Sequence, residues 1–458
     1  MNKVAKRTIY TPSPATAALV EREDAACAHT YHPLPVVLSR GRGCRVWDVD
    51  GKGATGGKHG EICRKKKKKK TCSDASFWIQ SGVWFGAEYF DFLAGYSALN
   101  QGHCHPRLVA AMVEQASRLA LTSRAFHNDT FAEYLEYATR RFGYERLLPM
   151  NTGAEVVETA VKLARKWAYE VKGIRDGDAK IIFLTENFHG RTMTAVSAST
   201  DPATRGHFGP YVPGIVHVPF NDVAAVEHAL AQPNVAAIML EPIQGEAGVV
   251  IPDDGYLLAI RRACTKHNVL MVSDEVQSGI GRAGFMMATE YEGVRPDIVT
   301  FGKALSGGMY PVSAVLANSD IMLVIKPGQH GSTFGGNPIA NKVAVEALKI
   351  IDDEQLLHNS TVRGEQLRRG LALLPRDVVK AVRGRGLMNA IVIDDRGGAD
   401  PEAALRLCYE FAAQGLLAKP THGDRVRLTP PLVISEREVD LCLEKMHAAV
   451  RSFQKARK

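Results

Sequence analysis

Lys303 follows the β-type run 298–301 by two residues, behind Gly302 and ahead of the small residues Ala304, Ser306, Gly307 and Gly308. Close-packed backbone strips water from an amine, lowers its pKa and leaves it neutral enough to form an imine with an aldehyde. A solvated lysine ending a strand would read the same way, so its meaning rests on what converges with it. Asp274, followed by Glu275, closes the apolar run 268–273, and ligands gather at the carboxyl ends of parallel strands. A carboxylate there can hold a protonated ring nitrogen. Asn151-Thr152-Gly153-Ala154-Glu155 opens an apolar helical stripe, so free backbone N–H groups, the Thr152 hydroxyl and a side-chain-free Gly153 form a cup for phosphate. Phe188 offers an aromatic face and Arg191 a two-pronged carboxylate donor. Each has an ordinary reading too: a strand-end cap, a helix cap, core packing and a surface ion pair.

The elements that must position these groups follow from periodicity. Short apolar runs at 180–185, 215–219, 235–240, 268–273, 298–301 and 312–316 alternate with helix-length segments, which predicts an α/β fold with a mostly parallel sheet covered on both faces. Residues 31–50 read as a hairpin, and the Asp50-Gly51 turn signal announces a strand that resumes only at 88–93. Residues 52–87, with six consecutive lysines, therefore read as a disordered insertion, because like charges that dense cannot pack. Beyond residue 340 the expected elements are helices at 338–352 and 361–373, strands at 378–382 and 388–394, and a final helix capped by Ser435 and Glu438. The chain accordingly divides into an N-terminal segment, 1–95, belonging with the smaller domain, a large domain, 96–337, and a small α+β C-terminal domain, 338–458.

Composition narrows the classes. With 458 residues, 45% of them hydrophobic and 23% charged, the chain is long enough for a large core and ordinary for a globular protein. It has no apolar run of about 18 residues, so no membrane span is expected. The net charge of +8 is local: residues 52–87 carry nine Lys and Arg against two acids, leaving about +1 elsewhere, which argues against a nucleic-acid face. Eight scattered cysteines read as reduced thiols inside a cell. No metal site is expected, since neither His59 with Cys63 and Cys72 nor His103-Cys104-His105 has usable ligand spacing. Gly279 to Gly284 spells a dinucleotide fingerprint but lacks the strand immediately before it. The first twenty residues hold Lys3, Lys6 and Arg7 with no acid before Glu21, faintly like a mitochondrial presequence but poor in arginine. A cytoplasmic location is expected, with the mitochondrial matrix as the alternative.

Six motifs in fixed order, NTGAE (151–155), NFHGRT (187–192), EPIQGE (241–246), DEVQSG (274–279), GKALSGG (302–308) and GSTFGGNP (331–338), resemble the class-III, fold-type I aminotransferases, which use pyridoxal 5'-phosphate. The likeness covers about residues 20–455 apart from 52–87. It implies a seven-stranded large domain and a smaller α+β domain. It also implies that Lys303 carries the cofactor and moves the proton, and that Asp274 pairs with the ring nitrogen. Thr152, Gly153 and Ala154 would hold the phosphate, Phe188 would stack on the ring and Gln277 would touch its hydroxyl. Thr333 would reach the phosphate site of a neighbouring subunit, which makes a homodimer or larger homo-oligomer the expected assembly. Arg191 matches a group that holds the α-carboxylate of glutamate or 2-oxoglutarate, Arg427 an arginine paired with Glu246, and Tyr31 and Tyr96 residues at the ornithine end. The implied reaction exchanges an amino group between ornithine and 2-oxoglutarate. Acetylornithine or 4-aminobutyrate transamination is the nearest alternative. A cofactor-free scaffold whose polylysine loop binds RNA or membrane is the remote one. Position 189 is His where some relatives carry Trp.

Overall fold

The computed structural model describes residues 12–50 and 86–457. The expected insertion, up to residue 85, and the first eleven residues of the presequence-like stretch lie outside the described residues. β1 (Leu38–Arg42) and β2 (Arg45–Asp48) form the expected hairpin, turning at Gly43, whose φ of 56° favours glycine. β3 (Glu88–Asp91) pairs antiparallel with β2, so the hairpin signal at Asp50 is completed from beyond residue 85.

A seven-stranded sheet follows. Its strands are β4 (Arg146–Met150), β5 (Lys180–Leu184), β6 (Ile215–Val218), β7 (Val235–Leu240), β8 (Leu270–Asp274), β9 (Ile298–Phe301) and β10 (Ser313–Ala317), ordered β4-β10-β9-β8-β7-β5-β6. β10 runs antiparallel to both its neighbours, while the β9-β8-β7-β5-β6 links are parallel. The mostly parallel α/β sheet expected from the apolar runs is therefore present. Side-chain alternation explains the double cover. Ile181 and Phe183 pack with the helix Gly153–Trp167 on one face, whereas Ile182 and Leu184 pack with the helices Val223–Leu230 and Tyr256–Lys266 on the other.

Two elements depart from the sequence pattern. β4 contains Pro149, which reads as a strand breaker, yet the strand sits at the sheet edge where a missing N–H is tolerated. The helix expected at 361–373 runs instead from Leu356 to Leu371, because Gln355 adopts a left-handed φ of 52° and re-aims the chain within one residue of the preceding helix, Pro338–Asp353. No glycine or proline marks that junction.

The C-terminal part adds β11 (Val379–Arg385), β12 (Met388–Ile393), β13 (Leu416–Leu417), β14 (Lys419–Thr421) and β15 (Arg425–Leu428). β11-β12-β15-β14 form an antiparallel sheet, but β13 pairs in parallel with β3 and joins the N-terminal sheet. The final helix, Glu436–Ala456, starts with the expected capping box of Ser435 and Glu438.

Arg282 ties these parts together. It is fully buried, and its guanidinium donates to Asn100 Oδ1 at 3.1 and 2.5 Å, to the Leu387 carbonyl at 3.0 Å and to the Pro430 carbonyl at 2.6 Å. Truncation leaves three buried acceptors without donors. Arg282→Ala is therefore expected to lower the unfolding free energy of the apoprotein by about 3–5 kcal/mol in a urea titration. A loss below about 1 kcal/mol would show that water replaces the guanidinium at little cost.

Candidate active site

The carboxyl ends of β7, β8 and β9 open on a cavity of about 130 Å³ lined by Gly153, Ala154, Phe188, Glu241, Asp274 and Lys303, among others. Parallel neighbours in register place Glu241, Asp274 and Lys303 side by side, one beyond each strand end or at it. Lys303 begins a short 3₁₀ turn with φ of 41°, a left-handed conformation that a side chain rarely adopts. Burial draws its pKa below the ordinary lysine value. The charges of Glu246, Asp274 and Glu241 oppose that shift, and Arg427 reinforces it.

Asp274 is 5% exposed yet fully partnered. His189 Nδ1 lies 2.7 Å from its Oδ2, while the Val276 N–H and the Thr300 hydroxyl donate to Oδ1 at 3.1 and 3.2 Å. His189 is itself buried, and its Nε2 has no partner among the described residues. Burial alone would lower the imidazole's pKa, but the hydrogen bond and charge of Asp274, with Glu241 adding to them, raise it above the ordinary histidine value. Glu241 accepts the Phe188 N–H at 2.8 Å and the Gly245 N–H at 3.3 Å, and burial pushes its carboxyl up to about 7.

The helix Gly153–Trp167 aims its N-terminus at the cavity. Thr152 Oγ1 accepts the Glu155 N–H at 3.2 Å, and the Glu155 carboxylate reaches back to the Thr152 N–H at 2.7 Å. The Thr152 hydroxyl is thus occupied as a helix cap, which leaves the Gly153 and Ala154 N–H groups at the helix start facing the cavity. A Cβ at Gly153 would stand 3.1 Å from Val276 Cγ1, so a side chain there would have to press Val276 aside.

Near Lys303, Arg427 Nη1 pairs with Glu246 Oε1, Gln277 Nε2 donates to the same oxygen at 3.2 Å, and the guanidinium lies 5.0 Å from the Tyr96 ring. Burial would raise the Glu246 carboxyl, but Arg427 holds it below the usual glutamate value. Arg191 is exposed beside Phe188, 5.2 Å from that ring, and donates to Thr204 Oγ1 at 2.6 Å. Gly153, Ala154, Phe188, Gln277, Asp274 and Lys303 therefore share the cavity wall, with Arg427 and Glu246 close enough to Lys303 to bias its charge. Thr333 and Tyr31 are exposed and do not line the cavity of the single chain. Glu241 and the His189–Asp274 contact escaped the sequence reading; the EPIQGE motif contained the first and NFHGRT the second.

These groups fit a flat, phosphorylated pyridine aldehyde. They provide free helix N–H groups for the phosphate, a buried carboxylate for the ring nitrogen, an aromatic for one ring face and a desolvated amine for the aldehyde. The comparisons agree. Residues 82–450 match the family described as Aminotransferase class-III. The mitochondrial ornithine aminotransferase of Rattus norvegicus is 50% identical over 448 residues, covering 98% of this chain and 93% of that protein. Among solved structures, ornithine aminotransferase from Toxoplasma gondii ME49 superposes with a TM-score of 0.85 at 41% identity over 96% of each chain. Acetylornithine aminotransferase from Elizabethkingia anophelis gives 0.79 at 46% identity over 95% of this chain and 99% of that one.

The raised pKa of His189 has a stability consequence. The extra proton binding in the folded state contributes stability that is complete below the ordinary value of 6.5 and is lost as pH rises through the raised pKa. Apoprotein unfolding should therefore separate wild type from His189→Gln by more at about pH 6 than at about pH 9. A gap that is constant or widens with pH would mean that His189 stays neutral in the fold.

Proposed function

The chain belongs to the class-III aminotransferases, and we propose that within that family it moves the δ-amino group of L-ornithine to 2-oxoglutarate. The products are glutamate 5-semialdehyde, which closes to pyrroline-5-carboxylate, and glutamate. The Glu246–Arg427 pair carries this reading, because two unlike substrates must use one cavity. Paired, the arginine is masked and the cavity accepts an ammonium-bearing chain beside Tyr96. Unpaired, it is a cation for the second carboxylate of glutamate.

Bound pyridoxal phosphate supplies an aldehyde and a ring that withdraws electrons from the carbon losing its proton. The remaining work falls to this chain. The Gly153 and Ala154 N–H groups would bind the phosphate with the helix dipole behind them. Asp274, held by His189, Thr300 and the Val276 N–H, would keep the ring nitrogen protonated. Phe188 would cover one ring face, and Gln277 would contact the ring hydroxyl. The Lys303 amine, its pKa lowered by burial, would serve as the base that takes the proton from the substrate carbon. Arg191, steadied by Thr204, grips the α-carboxylate.

Thr333 is exposed in the single chain, which suits a homodimer in which it completes the phosphate site of the second subunit. The naming of the rat relative as mitochondrial favours the matrix over the cytoplasmic location expected from the first twenty residues. Cell fractionation with an antibody to the native chain decides between them.

Holoprotein reduced with borohydride should carry the cofactor on the peptide containing Lys303, and L-ornithine without a keto acid should discharge its visible absorbance. Faster discharge by acetylornithine than by ornithine would move the substrate assignment to that relative. Glu246→Ala unmasks Arg427, and kcat/KM for L-glutamate should rise against that for L-ornithine by about tenfold. An unchanged ratio would remove the pair from substrate selection.

A further inference from the structure

Glu241 is a buried carboxyl that none of the steps above uses. It lies just beyond β7, beside Asp274 at the end of β8, and is 6% exposed. Its two oxygens serve different segments. Oε1 accepts the Phe188 N–H at 2.8 Å, from the loop after β5 that also carries His189 and Arg191. Oε2 accepts the Gly245 N–H at 3.3 Å, immediately before Glu246. Gly245 packs directly against Gln277, since a Cβ there would fall 1.4 Å from Gln277 Oε1. The stacking aromatic and the Glu246–Arg427 pair thus hang from opposite ends of one carboxyl group. His189, Asp274 and Lys303 are the titratable groups that face it.

We propose that Glu241 is a positioning residue for amino transfer, fixing the Phe188 face of the cofactor cleft against the Glu246–Arg427 pair, so that cofactor grip and substrate selection are set by one side chain. This rests on the reading of Glu246 and Arg427 given above. Glu241→Gln keeps the volume but replaces one acceptor oxygen with an amide nitrogen, which turns a donor toward one of the two backbone N–H groups. One segment is then released while the other stays bound.

The test uses the folded protein and two readouts. Affinity for pyridoxal phosphate is measured by equilibrium titration of the apoprotein, without substrate. The ratio of kcat/KM for the L-ornithine and L-glutamate half-reactions is measured on the reconstituted protein. Glu241→Gln should weaken cofactor binding by about tenfold and move the ratio by about fivefold or more, whereas diffuse damage would lower both half-reactions equally. A folded variant with both readouts within about twofold of wild type overturns the proposal, as does weakened cofactor binding with an unmoved ratio. If Glu241→Gln does not fold, Glu241→Asp, which withdraws the carboxylate by one methylene, takes its place under the same criteria. Failure of both to fold assigns Glu241 to folding and also overturns positioning. Wild type that ignores L-ornithine refutes the substrate reading alone, because the cofactor titration still reports on Glu241.

Discussion

Charge held away from water at the ends of three adjacent parallel strands is the constraint on which this molecule is arranged. β7, β8 and β9 deliver Glu241, Asp274 and Lys303 to one small cavity. A buried ionised group costs several kcal/mol if nothing compensates it, so each of these residues dictates part of its surroundings. Asp274 requires His189, the Thr300 hydroxyl and a backbone N–H. Glu241 requires two backbone N–H groups and thereby fixes the loops that supply them. Burial draws the Lys303 pKa below the ordinary lysine value, toward the neutral form in which an amine can react.

The same logic runs outward through Glu246 and Arg427. Arg427 is 3% exposed and comes from β15 of the smaller antiparallel sheet, while Glu246 comes from the loop after β7 of the large one. Their ion pair therefore joins two sheets as well as setting the charge of the cavity. Arg282 does comparable work without any carboxylate, using only carbonyl and amide oxygens, which fixes its geometry more narrowly than its charge would.

How much of this could be read from the chain depended on whether the information was local. Strand runs such as 235–240 and 298–301 matched the structure end to end because buried parallel strands are apolar on both faces. Lys303 and Asp274 stood out because their types and their places after apolar runs coincide. β4 was hidden because Pro149 is acceptable only at an edge, and edge position is a property of the whole sheet. The helix beginning at Leu356 was shortened in the sequence reading because its start is a left-handed Gln355 with no side-chain cap. Thr152 was read as a phosphate donor, yet Glu155 three residues on had already claimed it as a cap. The motifs contained Glu241 and His189 but not their contacts to Phe188 and Asp274, which lie 53 and 85 residues away and meet them only through strand order.

The parallel pairing of β3 with β13 has a consequence for how the chain comes into being. Phe90 is in register with Leu416, and Gly415 accepts the Phe90 N–H at 3.0 Å. As synthesis proceeds from the amino end, the first hairpin emerges early and must wait for more than three hundred residues before its last partner strand exists. The large sheet can condense meanwhile, since its strands follow one another closely. The chain therefore carries an unfinished sheet edge through most of its translation, and the interval before β13 arrives is when that edge is open to pairing with another nascent chain.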